Sequence, residues 1–243
     1  MKIIATCRTR NEEKNVGRFC KAYQGVADEI LIADGGSTDK TIEIALSYPD
    51  VTVLHFEEEM VVEGGHTINP QGKHVNFLIE RATLRGADWI VFDDCDCVPN
   101  HLLQKDLRTK LEKADEYPAL FVRRVYFWGK DLIFPRMHEP NTGLYAFRPD
   151  CGIRADESDP WHLTMRYKGN LYLTPVRLDS LHLDFPYCLL HYTWQTEEAT
   201  DEKIKFYRDS GVQPTALHPK DFAGPMEPPA WFMSEEPPDA ERV

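Results

Sequence analysis

Two aspartates one residue apart, Asp94 and Asp96, follow the apolar run Trp89–Phe92 in the stretch WIVFDDCDCV. A strand that ends on such a turn presents two carboxylates that can share a hard divalent cation with the oxygens of a diphosphate. A cation held there neutralises charge on a departing phosphate and so assists the leaving group. Chance supplies roughly one or two D-x-D triplets in a chain this rich in aspartate, so its place after an apolar run carries the weight. Three further polar stretches fall at the ends of predicted elements: Thr6–Glu12, Asp34–Asp39 and the pair Gly72-Lys73. Asp39 reads first as a helix cap, and Lys73 as a surface lysine where a helix begins. Cys95 and Cys97 flank the acidic turn, but a C-x-C pair without further spaced Cys or His is a poor zinc pattern and reads as incidental.

The elements that must position these residues alternate between two periods. Lys2–Cys7, Glu29–Ala33, Val51–Phe56 and Trp89–Phe92 are short apolar runs of strand type. Between them, Val16, Phe19, Cys20 and Tyr23 are spaced as one face of a helix whose cap is predicted at Asn11. Glu12 and Glu13 then suit the positive end of that helix. Ile42, Ala45 and Leu46, then Val75, Leu78, Ile79 and Ala82, then Leu102, Leu103, Leu107 and Leu111 mark three more helices. Strand–helix alternation with short turns predicts βαβ units and a mainly parallel sheet covered on both faces. Ligands bind such sheets outside the carboxyl ends of the strands, where the polar stretches lie.

The second half reads differently. Leu120–Trp128 and Leu132–Phe134 suggest a hairpin, Gly143–Phe147 and Leu171–Val176 further strands, and Thr200–Ser210 a helix. Glu57–Gly72 reads as a long, patternless loop of the kind that serves as a lid. From Ala223 the chain is rich in proline and acid and reads as an extended tail.

The chain has 243 residues, 42% hydrophobic and 11% aromatic, enough to bury one large core. Its formal net charge of −12 excludes a domain that holds nucleic acid by bulk electrostatics. No apolar stretch reaches the roughly 20 residues of a membrane helix, and the short apolar start reads as a strand rather than a leader. Six scattered cysteines read as reduced thiols, and a cytoplasmic protein is expected.

The segments NEEKNV (Asn11–Val16), DEILIADGGSTDKTIEIA (Asp28–Ala45) and DWIVFDDCDCVP (Asp88–Pro99) resemble, in that order, the family 2 glycosyltransferases of GT-A fold. The resemblance implies a GT-A-like α/β domain over residues 1–222, with a smaller antiparallel C-terminal part and a tail at 223–243. Residues 1–112 would be the nucleotide-sugar half and 113–222 the acceptor half. The implied reaction is a metal-dependent, inverting transfer from a nucleoside-diphosphate sugar, a UDP-sugar, to an acceptor hydroxyl. Thr6, Arg8, Arg10 and Glu12 would line the nucleotide. Arg8 and Arg10 replace the family's usual proline and tyrosine, and would touch phosphate or base or remain solvated. Asp34 would bond to base or ribose, with Gly35 standing where a second acid is common. Lys73 would lie near the diphosphate. Asp94 and Asp96 would form the D-x-D that holds Mn²⁺ or Mg²⁺, with Asp96 the direct ligand. SDPWHLTMRYKG (Ser158–Gly169) resembles the family's acidic ED-x-x-L-x-x-R segment. It makes Asp159 the candidate base, with Glu157 its neighbour and rival. LLHYTWQTEE (Leu189–Glu198) resembles a late segment that supplies a metal-binding histidine, here His191 ahead of His182.

Acceptors of similar enzymes include glycans, lipopolysaccharide-type cores, proteins and hydroxylated bases in viral DNA. Arg123, Arg124, Lys130 and Arg136 would form a local basic patch for the last of these. A competing reading is a haloacid-dehalogenase-type phosphohydrolase, with Asp94 as nucleophile and Asp96 as general acid. Against it, three βα units precede the acidic turn, whereas that motif normally opens its fold. A nicotinamide-dependent oxidoreductase lacks its GxGxxG after the first strand.

Overall fold

The computed structural model describes residues 1–57, 61–63, 66–68, 71–114, 116–128, 142–158, 163–169, 171–172, 180–194, 201 and 205. In chain order the elements begin β1 (Ile3–Thr9), α1 (Val16–Tyr23), β2 (Glu29–Asp34), α2 (Thr41–Leu46) and β3 (Val51–His55). A small hairpin, β4 (Val61–Glu63) and β5 (His66–Ile68), leads to α3 (Gln71–Leu84). Then come β6 (Trp89–Phe92), β7 (Cys97–Pro99), α4 (His101–Lys113), β8 (Ala119–Trp128) and β9 (Thr142–Phe147). The last are β10 (Ile153–Ala155), β11 (Met165–Tyr167), β12 (Leu171–Tyr172) and β13 (Leu181–Trp194).

Eight strands form one sheet in the order β3-β2-β1-β6-β9-β8-β13-β7. Its first four strands are mutually parallel. β9 enters antiparallel to both β6 and β8, β13 lies parallel to β8, and β7 closes the edge antiparallel to β13. β10, β11 and β12 make a separate antiparallel sheet, the smaller C-terminal part expected. The chain moves from β1 outward to β2 and β3, then returns to lay β6 on the other side of β1. That reversal opens the crevice in which open α/β sheets bind ligands.

The apolar strands are continuous rather than alternating because helices cover both faces. Ile3, Ala5 and Cys7 of β1 pack with Val16, Phe19 and Tyr23 of α1 and with Leu103, Leu107 and Leu111 of α4. Ile4 points the other way, into a second core with Leu31, Ala33 and the α3 face Val75, Leu78, Ile79 and Ala82. A polar residue at any of these positions would face a dry core, without water on either side. α4 begins at a true cap, where the Asn100 side chain accepts from the Leu103 N–H at 3.0 Å.

Two sequence expectations need correction. Asn11 does not cap α1, which starts at Val16; Asn11 instead has a left-handed φ of 55° and belongs to the loop after β1. Glu12 and Glu13 therefore precede the helix rather than charging its first turn. The stretch Glu57–Gly72 is not patternless, since it contains the β4–β5 hairpin and the first turn of α3. Residues 132–134, 173–176 and 223–243, and all of 200–210 except 201 and 205, lie outside the described residues.

Candidate active site

Two loops at the carboxyl ends of β1 and β2 are bonded into one another. Asp34, the buried last residue of β2, accepts hydrogen bonds on both oxygens. Oδ1 takes the hydroxyls of Thr9 (3.2 Å) and Ser37 (2.5 Å), and Oδ2 the N–H groups of Gly36 (2.9 Å) and Ser37 (2.8 Å). The turn this builds needs glycine at 36, whose φ is 87°. Asn11 donates its N–H to the Ser37 hydroxyl (2.9 Å) and accepts the Thr38 N–H (2.8 Å). Glu13 donates its N–H to Asp39 (3.1 Å) and accepts the Lys40 N–H (3.2 Å). Asp39 also receives the Thr41 N–H at 3.0 Å in the turn before α2, whose cap position is Lys40 and not Asp39 as expected. Burial opposes its ionisation, but the bonds from Thr41 and Glu13 prevail and hold its carboxyl below the usual range.

The acidic turn sits beside these loops. Asp93 is wholly buried, and its Oδ1 accepts from Arg124 Nη2 at 3.1 Å and from the Asp94 N–H at 3.0 Å. Its Oδ2 has no hydrogen-bond partner among the described residues. Burial pushes this carboxyl up to about 6, with Arg124 pulling it back. Asp94 receives Arg8 Nη2 at 3.0 Å on Oδ1. Asp96 Oδ1 stands 3.2 Å from His191 Nε2.

That last contact is a product of register. In the β7–β13 pairing His191 lies opposite Cys97, and the Tyr192 N–H bonds to the Asp96 carbonyl at 2.8 Å. The ligand atoms of Asp96, Cys97 and His191 consequently lie within 4.8 Å of one another. Glu12 faces the same turn. Burial raises its pKa and the neighbouring Asp96 and Asp94 raise it further, against a 2.8 Å bond from Asn15 and the charge of Arg8.

The other expected residues fall as follows. The Thr6 hydroxyl is buried inside the sheet and donates to the Val91 carbonyl at 3.0 Å. Arg10 and Lys73 are exposed, and Gly35 is buried with its N–H on the Thr9 carbonyl at 2.9 Å. His182 is exposed and stacks on Phe121, centroids 5.3 Å apart. Asp159, Lys130 and Arg136 lie outside the described residues. Arg124 is no part of a surface patch, because its guanidinium is turned inward to Asp93.

From α3, Asn76 grips the end of β10 and the segment that follows it. Its side chain donates to the Ala155 carbonyl (2.9 Å) and to Glu157 Oε1 (2.7 Å), and accepts the Ala155 N–H (2.8 Å). Asp156 accepts from the Ser158 hydroxyl and N–H and from Arg166 Nε at 2.7 Å. These bonds hold its carboxyl down at about 2, so it stays ionised and is a poor proton acceptor. The site residues missed from sequence are Cys97, Asn76 and the Asp93–Arg124 pair. Each depends on a partner dozens of residues away, and only the company of Cys97 with a D-x-D hinted at it.

The switch point between parallel strands, the two interlocked loops and the D-x-D turn beside His191 thus lie together at the carboxyl ends of the strands. Residues 8–172 match the profile of Glycosyl transferase family 2, more than half of the chain. The chain belongs to that family and is a glycosyltransferase; the phosphohydrolase reading falls with it. Among solved structures, Staphylococcus aureus TarS 1-349 is similar at 16% identity and a TM-score of 0.51, over 90% of this chain and 67% of that one. A longer TarS chain is similar at 16% identity and 0.52, and this chain spans 41% of its length. Glucosyl-3-phosphoglycerate synthase from Mycobacterium tuberculosis, in complex with Mn²⁺, UDP and glucosyl-3-phosphoglycerate, gives 17% identity and 0.48, over 89% and 82%. No curated protein matches the chain by sequence.

Proposed function

We propose that the enzyme moves a sugar from a nucleoside-diphosphate sugar, a UDP-sugar, to an acceptor hydroxyl with inversion, and that it needs Mn²⁺ or Mg²⁺. The observation that carries this is the 3.2 Å approach of His191 to Asp96 at the switch point of a family 2 sheet. The cation fits the residues present, since a carboxylate oxygen and an imidazole nitrogen converge there with Glu12 and Asp94 close by. Asp96 and His191 would hold it, with Asp94 alongside. When bound, it would supply charge neutralisation to the departing diphosphate.

The chain's own groups do the rest. Arg8, Arg10, Glu12, Asp34 and Gly35 belong to the two loops and strand ends that would cradle the nucleotide. Thr6, mid-strand in β1 and buried with its hydroxyl on Val91, would only support them from within the sheet. Asp34 would act by fixing the loop, its oxygens being taken up within it. Lys73, exposed on the first turn of α3, would meet the phosphates. Proton removal from the acceptor falls to Asp159 or Glu157, because Asp156 is tied to Arg166 and Ser158. The acceptor half would begin near residue 113 and the domain would end near 222. A glycan or lipopolysaccharide-type acceptor is favoured over modified DNA by the −12 charge and by the inward turn of Arg124.

Thermal shift with UDP, GDP and dTDP, each with and without Mn²⁺, tests the donor reading. Stabilisation by UDP that requires the metal is expected. Indifference to all three diphosphates would overturn it. Mass spectrometry of products across glycan, lipopolysaccharide-core and hydroxymethylated-DNA acceptors then identifies the acceptor.

A further inference from the structure

Arg8 and Asp94 form an ion pair where the donor's diphosphate would have to arrive. β1 and β6 are adjacent parallel strands with Thr6 level with Phe92, so two residues further on Arg8 comes level with Asp94. Nη2 of Arg8 meets Oδ1 of Asp94 at 3.0 Å, with the two side chains 23% and 33% exposed. The guanidinium is not fully satisfied: its Nε is buried without a hydrogen-bond partner among the described residues. It is also a cation set among carboxylates, since Asp94, Asp96 and Glu12 face one another across this crevice. Three acids close together repel unless a positive group lies between them, and here Arg8 supplies that charge.

A divalent cation on the acidic turn would make Arg8 redundant as a counter-charge to Asp94. A diphosphate arriving beside that cation would bring new oxygens for a planar, multi-donor guanidinium. We propose that Arg8 is an exchangeable counter-ion, pairing with Asp94 in the empty enzyme and turning to the diphosphate when the donor binds. Asp94 is thereby released toward the cation. The proposal rests on the nucleotide-sugar reading above and adds a coupling to it. The diphosphate removes the cation's competitor for Asp94, so the free enzyme binds the metal weakly and the donor-bound enzyme binds it well. Coupling of this kind is reciprocal, and its size can be measured from either ligand.

Calorimetric titrations of Mn²⁺ alone, UDP alone and Mn²⁺ at saturating UDP test it on the wild type, Arg8→Ala, Arg8→Lys and Asp94→Asn. Loss of a partly exposed ion pair changes such affinities by up to about fivefold. Arg8→Ala is expected to bind Mn²⁺ alone more tightly by about that factor and UDP alone more weakly. The enhancement of Mn²⁺ affinity by UDP should shrink. Arg8→Lys should fall between it and the wild type. Asp94→Asn breaks the pair from the other side, and with Arg8 released it should bind UDP alone severalfold more tightly. Opposite signs for the two ligands are the signature, since a merely structural arginine would weaken both.

If Arg8→Ala weakens both ligands, or leaves either unchanged, the exchange is overturned. Should Arg8→Ala fail to fold by circular dichroism, Asp94→Asn decides: unchanged or weaker metal-free UDP binding also overturns it. A wild type that binds no UDP even with Mn²⁺ would instead sink the donor reading, and this proposal with it.

Discussion

Gly72, the second residue of α3, lies so close to the Asp156 backbone that a Cβ on it would overlap the carbonyl carbon and oxygen. One missing methyl group thus lets the helix that carries Lys73 and Asn76 seat the acid-rich segment after β10.

Gly72→Ala should therefore destabilise the protein, although alanine favours helices by up to about 1 kcal/mol over glycine. Overpacking against backbone costs about 1–3 kcal/mol, and the overlap outweighs the propensity gain. A lower melting temperature together with a fall in turnover is expected. Unchanged values of both would show that the segment yields freely.

The acidic turn gives a second prediction. Asp96→Asn should abolish metal-dependent turnover while leaving the melting temperature within a few degrees, because Asp96 is a half-buried turn residue. His191→Ala should raise the Mn²⁺ concentration needed for half-maximal activity by about tenfold or more. A lower melting temperature with unaltered metal dependence would mark His191 as a packing residue only.

For the base, Asp159→Asn and Glu157→Gln are made in parallel. The variant that removes the proton acceptor should lose turnover about a hundredfold or more while nucleotide affinity stays near wild type. The other should lose little. If neither falls, the base lies outside this segment.

Asp93 predicts a pH effect on stability. Its folded pKa of about 6 lies above the ordinary carboxyl value of 3.8, so below about pH 4 it is protonated whether folded or not. Between there and about pH 6 the folded form keeps the proton and the unfolded form has lost it. Stability contributed by the neutral, buried acid is therefore lost as pH rises through that window, by at most on the order of 3 kcal/mol. Relative to Asp93→Asn, the wild type should weaken from pH 4 to 6 and then run level. A flat difference curve in chemical denaturation would show that Arg124 offsets burial in full.

Much of the first half was legible because its signals are local. The runs at Ile30–Ala33 and Trp89–Phe92 and the helical spacing of Val75, Leu78, Ile79 and Ala82 need no partner to be read. What escaped depends on distant chain. β7 is three residues long and contains Pro99, and only its pairing with Leu189–His191 makes it a strand. The approach of Asp96 and His191 was expected from resemblance, but Cys97 joins them through a register that no spacing encodes. Asn11 looked like a cap because it precedes acids and an apolar face. Its side chain and N–H were already committed to Thr38 and Ser37 across the sheet.

That commitment has a consequence for anyone who would redesign the donor pocket. Asn11 and Glu13 on one side, and Ser37, Thr38, Asp39 and Lys40 on the other, exchange donors and acceptors like the teeth of a clasp. Grafting a foreign loop after β2 would leave Asn11 in its left-handed turn with nothing to hold. The two loops are one transferable part, and a swap that changes nucleotide preference must carry both halves of the clasp together.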